Sequence, residues 1–274
     1  MTGPPSAPRG VLIFDFDGTV WRGAEPLERY AELVAEGVPQ ARRGGFRGRV
    51  SEFLAGDRWS SCGLADPPAD GWVAVARFAQ DVGVDQAHVD ASFARVRELL
   101  AAGELPMELP DGLPELLESA RSRCRTVLAS NSPASSVGPV LARLGLGSAF
   151  DEVVAGVGKP VGLVPTGDRI RTRLGLGPER VLSVGDHYAN DIAPAVSAGW
   201  FTAYISPWHW CPGPSWLVGE RFEDLAMGID WWIRALETLG ASQPGSDTHS
   251  AVAFEADQEN AHKDSQKLDE KRVP

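Results

Sequence analysis

Residues 11–19 of the chain read VLIFDFDGT, an apolar run followed at once by two carboxylates, Asp15 and Asp17. The run predicts a buried strand, and ligands of parallel α/β sheets bind at the carboxyl ends of their strands. Gly18 allows a sharp turn just past the pair, so both acids can converge on one pocket. Two acids held together suit metal binding, or covalent attack paired with proton transfer. A turn with polar caps is the structural alternative for this motif taken alone.

After residue 105, short apolar runs alternate with helical patterns. The predicted strands are 126–129, 152–155, 181–184 and 202–205, and the predicted helices between them are 137–144, 168–174 and 192–198. Alternation of this kind predicts a parallel sheet with right-handed crossovers. We therefore predict an α/β fold, a Rossmann-like parallel sheet core with helices on both faces.

An inserted domain separates the first strand from the rest. Residues 23–105 show helical spacing and no convincing strand, so we predict an all-helical insertion there. The α/β core is then discontinuous, formed by 1–22 and 106–240. Beyond Gly240 aliphatic and aromatic residues become sparse and polar and charged residues dominate, which predicts a disordered tail at 241–274.

Composition limits the classes of partner. With 274 residues, 43% of them hydrophobic, and a net charge of −11, the chain is expected to be a soluble globular protein that does not bind nucleic acid. No apolar segment is long enough to span a membrane, and residues 1–10 do not resemble a signal peptide. The three cysteines, Cys62, Cys124 and Cys211, are too few and too scattered for a disulfide framework or a zinc site. A cytoplasmic location is expected.

The C-terminal part of the core is rich in tryptophan. Residues 200–232 hold six of the nine tryptophans, and a helix predicted from about Arg221 places Trp231 opposite its apolar stripe. Trp231 is therefore a candidate for a partner surface, and a homodimer through this region is one alternative. Burial in the core is the alternative for the other tryptophans.

Three further polar features follow predicted strands. Ser130 and Asn131 end one strand, with Ser132 as a candidate helix cap. Lys159 follows the next strand and is the only lysine before residue 263, so a compact ammonium is expected to be needed there. Asp186 and Asp191 follow a third strand. Each of these features alone could have a purely structural role. It is improbable that all of them would follow strands of one sheet, in this order, by coincidence.

Together these residues resemble the haloacid dehalogenase superfamily. Its four motifs match, in order, Asp15/Asp17, Ser130, Lys159 and Asp186/Asp191, and the likeness covers about residues 10–205. The insertion looks like the helical C1 cap of the family. The sequence departs from the pattern at Gly162, where the family often has a second proline after the lysine, and this loosens the prediction for that loop.

The resemblance implies phosphoryl transfer. Asp15 would attack phosphorus and form an aspartyl-phosphate, and Asp17 would protonate the leaving oxygen and then activate water. Family dehalogenases lack the second acid, so Asp17 points to phosphoryl transfer. Ser130 and the Asn131 amide would hold the phosphoryl oxygens, and Lys159 would offset the negative charge.

The resemblance also implies a Mg²⁺ ion, because the acids and a phosphate dianion would otherwise repel each other. The implied ligands are the side chains of Asp15 and Asp186 and the backbone carbonyl of Asp17, with Asp191 as an outer partner.

Candidates for substrate binding are Gly18, Thr19 and Asn131, next to the motifs, and two arginines of the insertion. Arg47 and Arg49 belong to residues 41–49, which hold four arginines and no acid, and they are predicted to bind an anionic part of the substrate. A solvated basic loop is the alternative. Four other residues near the motifs are candidates for contact with substrate or for the pocket entrance: Trp21, Arg22, His187 and Tyr188.

The sequence therefore predicts a Mg²⁺-dependent phosphohydrolase acting on a small phosphorylated metabolite. A phosphomutase with the same aspartyl-phosphate chemistry stays open as an alternative. A non-catalytic binding protein that retains the fold is the alternative from another functional class.

Overall fold

The sheet is built around the strand predicted from the opening motif, β1 (Gly10–Phe14), whose five residues are all buried. The computed structural model describes residues 7–55, 68, 70–206 and 211–238. Six parallel strands lie in the order β3-β2-β1-β4-β5-β6. The other five strands are β2 (Cys124–Ser130), β3 (Glu152–Ala155), β4 (Val181–Gly185), β5 (Phe201–Ile205) and β6 (Leu217–Gly219). The predicted parallel α/β fold is confirmed.

Four described helices lie in the insertion that follows β1. They are α1 (Glu25–Glu36), α2 (Gln40–Leu54), α3 (Gly71–Asp81) and α4 (Gln86–Ala102). The rings of Tyr30, Trp72 and Phe93, from α1, α3 and α4, lie with their centroids 5.4–5.9 Å apart. Three of the four helices thus meet at a cluster of aromatic rings. The exact boundaries of the predicted domains stay predictions.

Five helices cover the two faces of the sheet. They are α5 (Leu113–Ala120), α6 (Ala134–Arg143), α7 (Leu163–Arg173), α8 (Ala193–Ser197) and α9 (Phe222–Ala235), with a 3₁₀ turn at Pro178–Arg180 and a π-helical turn at Tyr188–Ile192. Alternate residues of β1 enter different cores, with Leu12 and Phe14 on one face and Val11 and Ile13 on the other. This alternation is the reason why the strand reads as a continuous apolar run.

The structure differs from the sequence prediction at three elements. Helix α7 begins at Leu163, five residues before the predicted start, because Pro165 falls in the first turn, where a missing N–H does no harm. Strand β6 has only three residues, too few for a recognisable pattern. Helix α5 was not predicted, although Gly112 and Pro114 mark its start.

The C-terminal helix follows the predicted pattern. The apolar stripe of α9 is buried, and Trp231 lies on the opposite side with 62% of its surface exposed. The homodimer stays a prediction. Among the described helices, none combines the length and the apolar character that a membrane span requires. Cys124 and Cys211 are free, whereas Cys62 and the predicted tail at 241–274 lie outside the described residues.

Candidate active site

A pocket of about 210 Å³ opens at the carboxyl ends of the central strands. The register pairs Phe14 of β1 with Leu128 of β2 and with Val184 of β4, so the segments that follow these strands meet at one edge. Seven of the predicted site residues line this pocket: Asp15, Asp17, Ser130, Asn131, Lys159, Asp186 and Asp191. The structure therefore brings together residues that are as many as 176 positions apart in the chain, from 15 to 191.

Lys159 lies between two acids of the pocket. Its Nζ donates to Asp15 and, at 2.6 Å, to Oδ1 of Asp191, and its side chain is buried. Burial alone would lower the pKa of Lys159, but the two carboxylates outweigh burial and raise it, so the ammonium stays charged.

The loop that carries Lys159 is fixed by Asn131. The backbone N–H of Lys159 donates to Oδ1 of Asn131 at 2.6 Å, and Nδ2 of Asn131 donates to the carbonyl of Lys159 at 3.1 Å. The side-chain amide of Asn131 is therefore engaged in positioning the lysine, and the role of Asn131 in holding phosphoryl oxygens stays a prediction. Ser130 lines the pocket, and its Oγ accepts the N–H of Ser132 at 3.0 Å.

Three carboxylates of the pocket could hold one cation. Ligand atoms of Asp15, Asp186 and Asp191 lie within 4.8 Å of one another. Burial raises the pKa of Asp15 to about 6, despite the opposing effect of Lys159, and it raises the pKa of Asp186 well above its usual range. Acids in such surroundings gain from a bound cation, and an all-oxygen donor set suits Mg²⁺. Asp191, expected as an outer partner, belongs to the cluster itself.

Gly18 makes this approach of the chain possible. Its φ of +81° lies in the left-handed region, and a Cβ at this position would be 2.0 Å from Oδ2 of Asp186. Both the backbone conformation and the closeness of Asp186 therefore require glycine.

Asp17 is held by three donors outside the carboxylate cluster. Its Oδ1 accepts from Arg97 at 2.6 Å and from Nε1 of Trp21 at 3.1 Å, and its Oδ2 accepts from the hydroxyl of Ser132 at 2.7 Å. The prediction that Ser132 caps a helix is wrong, because α6 begins at Ala134 and has no side-chain cap. The hydroxyl is directed to Asp17 instead.

Arg97 was missed by the sequence analysis. It lies on α4 of the insertion, is 3% exposed, and also donates through Nε to Oγ of Ser136 on α6 at 3.2 Å. Phe93 and Leu100, four residues before it and three after it, share its side of the helix, where Leu100 is buried and Phe93 is partly buried against the same hydrophobic cluster. A charged residue within an apolar stripe was the available signal.

The insertion also supplies part of the pocket wall. Asp70, Trp72 and Phe93 line the pocket together with the motif residues, and none of them was predicted from the sequence to be a site residue. Asp70 is the N-cap of α3, where its Oδ1 accepts the N–H of Val73 at 2.8 Å. Burial raises the pKa of Asp70, and the nearby Asp15 adds to this effect.

The structure does not bring Arg47 and Arg49 to this pocket, contrary to expectation. Both lie on α2, and Arg49 forms an ion pair with Asp81 at 3.0 Å while its guanidinium lies 4.1 Å from the centroid of the Phe78 ring. Local pairing within the insertion explains the position of Arg49, and a run of positive charge does not reveal which way a helix faces.

The remaining candidates lie in different places. Thr19 is fully buried and does not line the pocket. Gly18, Trp21 and Arg22 line an adjoining cavity of about 500 Å³ that shares Asp70, Trp72 and Asp186 with the first. His187 lines the first pocket, whereas the hydroxyl of Tyr188 donates to the carbonyl of Pro214 at 3.1 Å.

Comparison with known proteins agrees with this architecture. A family model described as "haloacid dehalogenase-like hydrolase" matches residues 10–199. The solved structure of a predicted phosphoglycolate phosphatase from Haemophilus somnus has a TM-score of 0.55 at 19% identity, over 81% of this chain and 97% of that one. A protein of Bacillus subtilis named as a HAD hydrolase, crystallised with magnesium, has a TM-score of 0.55 at 16% identity, over 81% and 99%. The search of curated proteins found no match.

Proposed function

Because the chain belongs to the haloacid dehalogenase-like hydrolase family, we propose that it is a Mg²⁺-dependent phosphohydrolase acting on a small phosphate monoester. The observation that carries the proposal is the placement of both acids of the opening motif in one pocket with Lys159. Asp15 pairs with the lysine, while Asp17 is held separately by Arg97, Trp21 and Ser132. Two acids in different surroundings suit two different roles.

The reaction then has two halves. A carboxylate oxygen of Asp15 attacks phosphorus, the bond from phosphorus to the ester oxygen breaks, and Asp17 gives that oxygen a proton. Water next attacks the aspartyl-phosphate, Asp17 takes a proton from the water, and phosphate leaves with the Asp15 carboxylate restored. Lys159 stabilises the charge on Asp15 and on the phosphoryl group throughout.

The pocket fits the proposed metal ion, because its clustered donors are carboxylate oxygens. Asp15, Asp186 and Asp191 would hold Mg²⁺. When bound, the ion supplies positive charge that offsets the repulsion between the acids and a phosphate dianion.

The direct test is release of inorganic phosphate by the purified protein from a panel of phosphorylated metabolites and an aryl phosphate. We expect release with Mg²⁺ and none with EDTA. Transfer of phosphate between positions of a sugar phosphate, without release from the aryl ester, would instead identify a phosphomutase. Absence of both activities would contradict the proposal.

Arg97 is expected to act as a positioning residue for Asp17. Replacement Arg97→Met removes the 2.6 Å bond to Asp17 and is expected to lower kcat about 10- to 100-fold, with a smaller change in KM. The matched control is Arg95→Met on the same helix, since Arg95 is exposed and pairs only with Glu98 among its described ion pairs. Steady-state kinetics of both variants test the prediction, and equal kcat values would contradict it.

Gly18→Ala is expected to impair both stability and turnover. The left-handed backbone should cost about 1–2 kcal/mol of the free energy of unfolding, and the new Cβ should displace Asp186. Gly145→Ala is the matched control, because Gly145 has a φ of +73° with no described atom within 4 Å of a Cβ. Denaturant unfolding should show similar losses for the two variants, and phosphate release should fall in Gly18→Ala alone.

A further inference from the structure

The wall that the insertion contributes to the pocket combines one carboxylate with two aromatic rings. Among the described residues, Asp70, Trp72 and Phe93 are the lining residues that come from the insertion. The Trp72 and Phe93 rings meet edge to face, with centroids 5.6 Å apart. A substrate group on this side of the pocket therefore meets a negative charge and aromatic surface.

The cationic side chains near this wall are already engaged with the core. Lys159 lies between Asp15 and Asp191, and Arg97 is bonded to Asp17. His187 also lines the pocket, and its Nδ1 accepts the N–H of Asn190 at 3.3 Å. An anionic leaving group would thus face Asp70, while Lys159 and Arg97 are already paired with acids of the core.

We propose that the natural substrate is a phosphate monoester whose leaving group carries an ammonium group, bound by Asp70 and the rings of Trp72 and Phe93. Aromatic faces attract cations, and a carboxylate attracts them more strongly in a partly buried pocket than in water. The phosphoryl group of such a substrate lies at Asp15, and its ammonium group reaches the wall of the insertion. The products are phosphate and an amino alcohol. This inference rests on the proposed phosphohydrolase function.

The structural alternative is that Asp70 only caps α3. Asparagine caps helices as well as aspartate does, so Asp70→Asn keeps the bond to Val73 and removes the charge alone. Asp85→Asn is the matched control, because Asp85 caps α4 in the same way, accepting the N–H of Ala87 at 3.3 Å, and does not line the pocket.

The experiment measures kcat/KM on two pairs of esters that share a shape and differ in charge: 2-aminoethyl phosphate against propyl phosphate, and phosphocholine against 3,3-dimethylbutyl phosphate. We expect the protein and its Asp85→Asn variant to prefer the cationic member by about 10-fold or more. In Asp70→Asn the ratio of kcat/KM for the cationic ester to kcat/KM for its neutral partner should fall severalfold. Trp72→Leu should lower the phosphocholine ratio, and Trp72→Phe should lower it less.

The outcomes separate this inference from the function on which it rests. The inference would be overturned if the protein released phosphate from p-nitrophenyl phosphate but had an equal or higher kcat/KM for the neutral esters, or for phosphoglycolate, than for the cationic esters. The proposed phosphohydrolase function would then still stand. An unchanged ratio in Asp70→Asn would overturn the role of Asp70. Failure to release phosphate from every ester would overturn the proposed function and this inference with it.

Discussion

Replacement of Asp15 by asparagine is expected to lower kcat for phosphate release by at least about 10⁴-fold, the scale seen when a nucleophile is removed. The amide has nearly the shape of the carboxylate, but it cannot attack phosphorus. The other acid of the opening motif does not replace it, because both oxygens of Asp17 are held by Arg97, Trp21 and Ser132. The measurement is single-turnover and steady-state phosphate release.

The same variant should remain folded. Burial raises the pKa of Asp15 from 3.8 to about 6, so the ionised carboxylate is less stable in the metal-free folded state than in the unfolded chain. A neutral amide removes that penalty, and the melting temperature in EDTA should not fall. Asp90→Asn, at an exposed position of α4, is the control and should change neither property. If the kcat of Asp15→Asn stayed within tenfold of that of the unmodified protein, the proposed mechanism would be contradicted. Another nucleophile or a non-catalytic scaffold function would then be the explanation.

The sequence was sufficient for the part of the site that depends on sheet topology. In a parallel sheet the carboxyl ends of neighbouring strands lie side by side, so residues after β1, β2 and β4 must meet. Asp15, Ser130 and Asp186 could therefore be placed together before any coordinates were known. Lys159 follows by the same reasoning from the loop after β3.

The parts that the sequence did not reveal depend on how the insertion packs on the core. Arg95 and Arg97 both lie on α4, and only tertiary packing buries Arg97 against Asp17 and leaves Arg95 exposed. Asp70 is an N-cap by local sequence, and its second role as a pocket residue depends on the approach of α3 to the sheet. Local pattern predicts helices, but it does not predict which side chains cross a domain boundary.

Replacement of Lys159 by methionine is the second change with a large expected effect, a loss of about 10³-fold in kcat. The variant leaves Asp15 and Asp191 buried without their shared cation, which should cost about 3–5 kcal/mol of the free energy of unfolding. Lys159→Arg should also lose activity, because a planar guanidinium cannot occupy the place of a compact ammonium between the two carboxylates. Arg173→Met, which removes an exposed cation of α7, is the control for loss of charge.

The stability of Lys159→Met should depend on pH in a direction that the structure fixes. Burial already raises the pKa values of Asp15 and Asp191 in the folded state, and Lys159 opposes this rise. Without the lysine, the pKa values of Asp15 and Asp191 in the folded state rise further. Protonation of the two acids therefore stabilises the folded state at low pH, and this stabilisation is lost as the pH increases through their folded pKa values. In EDTA, the difference in unfolding free energy from the unmodified protein should be small near pH 4 and should grow toward pH 7. A difference that stays constant over this range would show that the lysine does not serve as the counter-charge of these acids.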